Sequence, residues 1–160
     1  MRSLFAACFF ATAGLLSLHG AEVEFVRVWP SWRDAESFER ISEYFTGKEN
    51  TGREIVLRTH PDQRAGFYYL VRVANKEGVL PEAKFVLQVI SPTQREAATT
   101  TFTVDVPSGS KVFQLGLTGS DWSDKSAHPV AWKIELKSAD DKVLASAQSF
   151  LWEKPEKLAN

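Results

Sequence analysis

The sequence predicts a mainly β domain: an antiparallel sandwich of two sheets with about eight strands, and one helix near residues 32–46. Two observations predict the sheets. Apolar and polar residues alternate with a period of two over most of the chain, and short turn-forming segments separate these runs. A third observation, one segment with helical spacing, predicts the helix. The pattern is continuous from residue 22 to residue 152, which predicts a single domain over that range.

The alternation indicates sheets that pack one face on a core and expose the other to water. Successive side chains of a strand point to opposite faces, so such a strand reads apolar, polar, apolar. In residues 66–74, for example, every second residue from Phe67 to Val73 is an aromatic or a valine. The predicted strands are residues 23–29, 53–59, 66–74, 84–90, 99–106, 111–118, 130–137 and 143–152.

The segments between the strands are of the kind that joins neighbouring antiparallel strands. Residues 107–110 and 139–142 are short enough for hairpins, and residues 60–65 predict a longer hairpin loop. Eight strands at this spacing resemble the sandwich of immunoglobulin and fibronectin type III domains. The paired cysteines of antibody domains are absent, so the resemblance is one of architecture.

One helix is predicted over residues 32–45. Phe38, Ile41 and Phe45 follow one another at helical spacing, and Gly47 stands where a left-handed residue ends a helix. We expect this helix to pack across a sheet edge or across one open end of the sandwich.

The first 20 residues predict a secretory signal peptide. Arg2 is the only charged residue before Glu22, and residues 4–18 form a mainly apolar run. We expect cleavage after residue 20 or 21; the alternative, an uncleaved anchor, would have an apolar run shorter than the roughly 20 residues that span a bilayer. Cys8 is the only cysteine and would leave with the signal. The sequence therefore predicts an exported protein, periplasmic or secreted, whose mature domain has no disulfide.

Composition argues against several classes of function. The chain has 19 basic and 20 acidic residues, so no basic excess suggests nucleic acid, and no second apolar run suggests a membrane span. His60 and His128 belong to no metal-binding spacing, and we predict no metal or cofactor. A small site of His128 with Asp121 and Asp124 is conceivable because they share one loop. No nucleophile motif is present and no catalytic residue is predicted, while the charged tail, residues 153–160, is expected to fray.

The basic residues are divided unevenly along the chain. Seven arginines and one lysine lie between residues 27 and 72, whereas one arginine and nine lysines follow. Arginine and aromatic residues are enriched at protein interfaces, and lysine is depleted there. The competing interpretation is that these arginines pair within the chain, with Glu36, Glu39, Glu43 and Glu54. The predicted interaction face consists of Trp32, Arg58, Arg64, Tyr68, Arg72 and Trp122.

These observations favour an exported, non-catalytic β-sandwich that serves as a protein-binding or structural module of the cell envelope or extracellular space. The expected partner is another envelope or secreted protein, or a glycan. One alternative is a carbohydrate-binding module that stacks sugars on an exposed Trp122, Trp32 or Tyr68. A second alternative is a hydrolase whose site has no recognisable motif.

Overall fold

Eight strands form two four-stranded sheets in the computed structural model, which describes residues 22–153. The predicted signal peptide and residues 154–160 of the predicted tail lie outside the described residues. The chain also forms one α-helix, α1 (Ile41–Thr46), and three 3₁₀ turns at Ala35–Phe38, Gly119–Asp121 and Phe150–Glu153. The strands are β1 (Val23–Arg33), β2 (Ile55–Arg58), β3 (Gly66–Asn75), β4 (Leu80–Ser91), β5 (Gln94–Val106), β6 (Gly109–Thr118), β7 (Ala131–Lys137) and β8 (Val143–Gln148).

The two sheets confirm the predicted sandwich. The first sheet has the order β1-β3-β6-β2 and the second has the order β5-β4-β7-β8. All neighbouring strands are antiparallel except β2, which runs parallel to β6. The eighth predicted strand is too long, because residues 149–152 leave the sheet and residues 150–152 enter a 3₁₀ turn.

Two of the three predicted hairpins are wrong. Residues 107–110 carry the chain from the second sheet to the first, because β5 pairs with β4 and β6 pairs with β3. Residues 60–65 do not join neighbours either, because β6 lies between β2 and β3. The hairpin at residues 139–142 is confirmed as the link between β7 and β8.

The core lies between the sheets and is built by the alternation described above. Phe85 of β4 meets Phe113 of β6 with ring centroids 4.9 Å apart, and both rings are fully buried. Burying a side chain of this size contributes about 1.5–3 kcal/mol. The inward-facing residues are Phe67, Tyr69, Val71 and Val73 of β3, Phe85, Leu87 and Val89 of β4, Phe113, Leu115 and Leu117 of β6, and Ile134 and Leu136 of β7.

The α-helix is much shorter than predicted, because only the last six residues of the predicted range near 32–46 form it. Strand β1 continues as far as Arg33, which pairs with Gly66 of β3, so Trp32 is a strand residue. Pairing with β3 along the whole strand outweighs the local helical spacing. Within the predicted range only α1 is α-helical, and it ends at Gly47, whose φ of 65° gives the predicted left-handed cap. Residues 34–54, which contain α1 and which we call the bracing segment, contact the outer face of the first sheet through Phe38 and its edge strand β2 through Glu49.

Within residues 22–153, no helix is long and apolar enough to cross a membrane.

Candidate interaction face

Tyr68 marks the centre of the outer face of the first sheet, the face that points away from the core. Its register partner on β6 is Gly116, and the ring lies so close to it that a Cβ there would come within 2.3 Å of the ring. The hydroxyl accepts a hydrogen bond from Arg58 Nε at 2.8 Å and donates one to the carbonyl oxygen of Arg64 at 2.6 Å. Tyr68 is fully buried although it lies outside the core, so a second layer must cover it.

Phe38 of the bracing segment provides that cover. Its ring centroid lies 4.9 Å from that of Tyr68, and the Phe38 side chain is buried. The guanidinium groups of Arg33 and Arg58 lie 4.4 Å and 4.7 Å from the centroid of the Phe38 ring. A cation over an aromatic ring is worth about 0.5–2 kcal/mol, and more where water is excluded. The bracing segment is therefore packed onto the sheet through the Phe38 ring, which contacts Tyr68 and two arginines.

Two ion pairs anchor the segment further along. Arg58 donates to both carboxylate oxygens of Glu49, at 2.8 Å and 2.6 Å, and its side chain is only 6% exposed. Arg64 contacts Glu43 of α1 at 2.8 Å and approaches Glu49 at 3.9 Å. Paired hydrogen bonds between an arginine and a carboxylate are among the stronger polar contacts in proteins. These pairs fix both α1 and the loop after it.

The electrostatics of this network agree with its geometry. The hydrogen bond from Arg58 lowers the pKa of the Glu49 carboxyl below its usual value. Burial raises the pKa of the Tyr68 hydroxyl, although the hydrogen bond from Arg58 acts in the opposite direction. At neutral pH Glu49 is therefore charged and Tyr68 keeps its proton, which it donates to the Arg64 carbonyl.

Three large apolar side chains of α1 take no part in this network and face water. Ile41, Tyr44 and Phe45 are 80%, 82% and 86% exposed, and they occupy neighbouring positions on the helix. We call these three residues the apolar cluster. It is displayed by a segment that Phe38, Arg58 and Arg64 fix to the sheet.

The structure brings three of the six residues of the predicted face together. Arg58, Arg64 and Tyr68 form the network just described. Glu43 pairs with Arg64 as the competing interpretation predicts, but the partner of Arg58 is Glu49, which the sequence did not single out.

The other three predicted residues lie apart from this network. Arg72 is exposed, and its guanidinium lies 5.6 Å from the ring of Trp29. Trp32 is half-buried against the core, and its Nε1 donates to Asp34 at 3.0 Å. Trp122 is 7% exposed and packs on Phe67 with ring centroids 5.3 Å apart.

The predicted helix contained the apolar cluster, but the prediction placed Ile41 and Phe45 in a packed stripe with Phe38. Helical spacing of Phe38, Ile41 and Phe45 is the same whether the stripe is buried or open, so periodicity alone could not find the cluster. The adjacent Tyr44 and Phe45 could have indicated the exposure, because together they make the apolar face of the helix wider than a single contact with a sheet requires.

A second constellation surrounds His60, just after β2. Its Nδ1 lies 2.8 Å from the carbonyl oxygen of Thr118 and 3.6 Å from Asp121 Oδ2, and its Nε2 lies 3.4 Å from Ser120 Oγ. A carbonyl oxygen only accepts, so this contact puts the proton on Nδ1 and leaves Nε2 as an acceptor for Ser120. In the described part of the chain, no group of three or more histidine, cysteine or carboxylate side chains is placed to hold a metal ion.

The outer face of the first sheet thus combines a packed network of arginines and aromatic rings with an exposed apolar cluster. The network holds the segment that carries the cluster against the sheet, and the cluster exposes an apolar surface to water. Neither a protein-family model nor a curated protein matches the chain.

Proposed function

We propose that this domain is a non-catalytic binding module of the cell envelope or the extracellular space, and that it binds another protein through the apolar cluster. The observation that carries the proposal is the exposure of Ile41, Tyr44 and Phe45, each at 80% or more, on one turn of an anchored helix. Contiguous exposed apolar residues on an ordered surface are typical of interaction sites. The proposed compartment rests on the signal peptide that the sequence predicts for residues 1–20.

The surroundings of the cluster fit a protein partner. Tyr44 lines a shallow groove of about 230 Å³ together with Glu39, Arg40, Glu43 and Arg64. An aromatic centre with a charged rim is the usual composition of a binding hot spot, because the rim excludes water from the apolar contacts. The bracing segment is already ordered by its contacts with the sheet, so little conformational entropy would be lost on binding.

Removal of two of the three side chains of the apolar cluster should weaken partner binding without affecting the fold. We expect Tyr44→Ser/Phe45→Ser to weaken partner binding by about tenfold or more, since truncating a hot-spot residue costs at least about 1–2 kcal/mol. Stability should change by no more than about 0.5 kcal/mol, because both side chains are exposed. The measurement is affinity capture from the native envelope fraction, followed by titration of the captured protein against wild type and variant.

Phe150→Ser is the matched control, because Phe150 is as exposed as Phe45, at 86%, but lies at the other end of the chain. The proposal would be contradicted if the double variant bound the partner with the same affinity as the wild type. The same variants separate a glycan from a protein. The rings of Tyr68 and Trp122 are buried and that of Trp32 is half-buried, so sugar stacking would fall to Tyr44 and Phe45 of the apolar cluster. A glycan array would then show binding that Tyr44→Ser/Phe45→Ser removes.

Hydrolysis is a second candidate function, favoured by one observation. Ser120, His60 and Asp121 are arranged like a nucleophile, a base and an orienting carboxylate, with Ser120 Oγ 3.4 Å from His60 Nε2 and Asp121 Oδ2 3.6 Å from His60 Nδ1. Ser120 and Asp121 also line a cavity of about 340 Å³ with Trp122 and Thr99, between the two sheets.

If this group is catalytic, Ser120→Ala should abolish hydrolysis of small activated esters, because the nucleophile is lost. Ser123→Ala is the control, as Ser123 is an exposed serine of the same loop. Release of the chromogenic alcohol would be followed with time. A rate that is equal in wild type, Ser120→Ala and buffer would rule out this candidate.

A further inference from the structure

A second cavity opens on the first sheet, beside the last residues of the bracing segment and away from the network around Tyr68. It has a volume of about 320 Å³, within the range of small-molecule sites, and is lined by Arg53, Glu54, Arg72, Ser110, Lys111 and Val112. Three of these residues are cations, and they come from three separate parts of the chain: the bracing segment, β3 and β6. Folding therefore gathers positive charge that is dispersed in the sequence.

The three cations of this cavity, Arg53, Arg72 and Lys111, have no carboxylate partner. Within residues 22–153, none of them forms an ion pair or donates a hydrogen bond from its side chain. Glu54 is the one carboxylate among the lining residues, and one of its oxygens accepts a hydrogen bond from Gln114 Nε2. The positive charge of the cavity is thus only partly balanced by the part of the chain that the structure describes.

Arg72 also faces a fourth cation across the sheet. Arg27 of β1 is its register partner, and like charges directly opposite each other on neighbouring strands destabilise a sheet. Their guanidinium carbons, of Arg27 and Arg72, lie 4.5 Å and 5.6 Å from the centroid of the Trp29 ring, and these contacts offset part of the repulsion. Elsewhere on this sheet, Arg58 and Arg64 are matched by carboxylates. A bound anion would supply the missing negative charge at this end.

We propose that this cavity binds a phosphate monoester group through Arg53, Arg72 and Lys111. Three positive charges and the one negative charge of Glu54 leave a net charge of +2 in the lining. A phosphate monoester carries about −1.5 to −2 at pH 7, so it neutralises this charge, whereas a carboxylate with its single charge neutralises half of it. A guanidinium donates paired hydrogen bonds to phosphate oxygens, and the hydroxyl of Ser110 is a further donor in the lining.

The first test is isothermal titration calorimetry of the purified full chain with inorganic phosphate, glycerol 1-phosphate and acetate at constant ionic strength. We expect saturable binding of both phosphates, at least about tenfold tighter than that of acetate. Arg53→Met/Arg72→Met should weaken phosphate binding by about tenfold or more, because it removes two cations and their hydrogen bonds. Arg95→Met is the matched control, as Arg95 is an exposed arginine on β5 of the second sheet.

A second variant keeps the proposal falsifiable if the loss of Arg72 from the Trp29 ring disturbs the sheet. Lys111→Met removes one cation of the cavity and leaves that contact intact, so we expect weaker phosphate binding with an unchanged unfolding transition. A wild type that shows no saturable binding, or that binds acetate as tightly as phosphate, would overturn the proposal. Phosphate binding that Lys111→Met and a folded Arg53→Met/Arg72→Met both retain in full would overturn it too.

Vesicles distinguish a lipid headgroup from a soluble phosphate monoester as the source of the group. Sedimentation with vesicles of phosphatidylcholine and phosphatidic acid, but not with phosphatidylcholine alone, would support the site with a lipid ligand. Binding of glycerol 1-phosphate without such sedimentation would support it with a soluble ligand.

The phosphate site and the apolar cluster can be tested separately. No residue of the cluster lines this cavity, so Tyr44→Ser/Phe45→Ser should bind phosphate as the wild type does. Equally, Arg53→Met/Arg72→Met leaves Ile41, Tyr44 and Phe45 in place. A failure of either proposal therefore leaves the other standing.

Discussion

A methyl group added by Gly116→Ala is expected to lower the free energy of unfolding by about 3 kcal/mol. The new Cβ would lie 2.3 Å from a ring carbon of Tyr68, closer than atoms approach in folded proteins. The ring has nowhere to go, because Phe38 packs against it and its hydroxyl is bonded to Arg58 and Arg64. Urea unfolding followed by tryptophan fluorescence would measure the loss.

Gly78→Ala is the matched control for this change. A Cβ at Gly78 meets no atom within 4 Å, and its backbone angle is not one that favours glycine. We expect its stability to stay within about 0.5 kcal/mol of the wild type, or to rise slightly because the unfolded chain loses freedom. A loss below about 1 kcal/mol for Gly116→Ala would mean that the layer over Tyr68 is loosely packed.

Arg58→Met should destabilise the fold by a similar amount, about 3 kcal/mol. Methionine keeps much of the apolar stem but removes the charge. Glu49 then loses two hydrogen bonds, Tyr68 loses the donor to its hydroxyl, and Phe38 loses one of its two cations. Thermal or urea unfolding at neutral pH would measure the difference.

The effect of Arg58→Met should shrink in acid. Arg58 lowers the folded-state pKa of Glu49 below its usual value of 4.5, so the ion pair stabilises the fold fully above that value. The contribution is lost as the pH falls through the depressed folded-state pKa, when Glu49 takes up a proton. The difference in unfolding free energy between wild type and variant should therefore decrease from pH 7 towards about pH 3.

Arg53→Met is the control for the charge change, since Arg53 is exposed and has no ion pair within residues 22–153. It should stay within about 0.5 kcal/mol of the wild type at both pH values. A difference in unfolding free energy between wild type and Arg58→Met that does not change with pH would contradict the role assigned to Glu49.

The strands could be predicted from the sequence because each one carries its own evidence. Alternation within β3 or β7 is a local property, and it identifies both the strand and the side that faces the core. The same local reasoning identified Gly47 as the end of α1. The arrangement of the strands has no such local signal. Nothing in residues 55–58 indicates that β2 would pair with β6 in parallel, more than 50 residues away along the chain.

The candidate site was only partly predictable for the same reason. Composition indicated the arginine-rich half of the chain, and three of the named residues meet there. The polar neighbours of Trp122 indicate a loop but leave its exposure open. The residue does lie in a loop, and it is buried against Phe67. The exposure of the apolar cluster depends on what the rest of the chain covers, which the spacing of three side chains does not reveal.

Tyr68 and Tyr69 are consecutive in the chain and both fully buried, but they point to opposite sides of β3. A slip of β3 by one residue would exchange them and disrupt both the core and the layer under Phe38. The bracing segment can dock only after the sheet beneath it has its native alignment. A copy in which β3 had slipped would therefore lack the anchored surface that we propose for the partner, so the proposed binding would depend on the native register of β3.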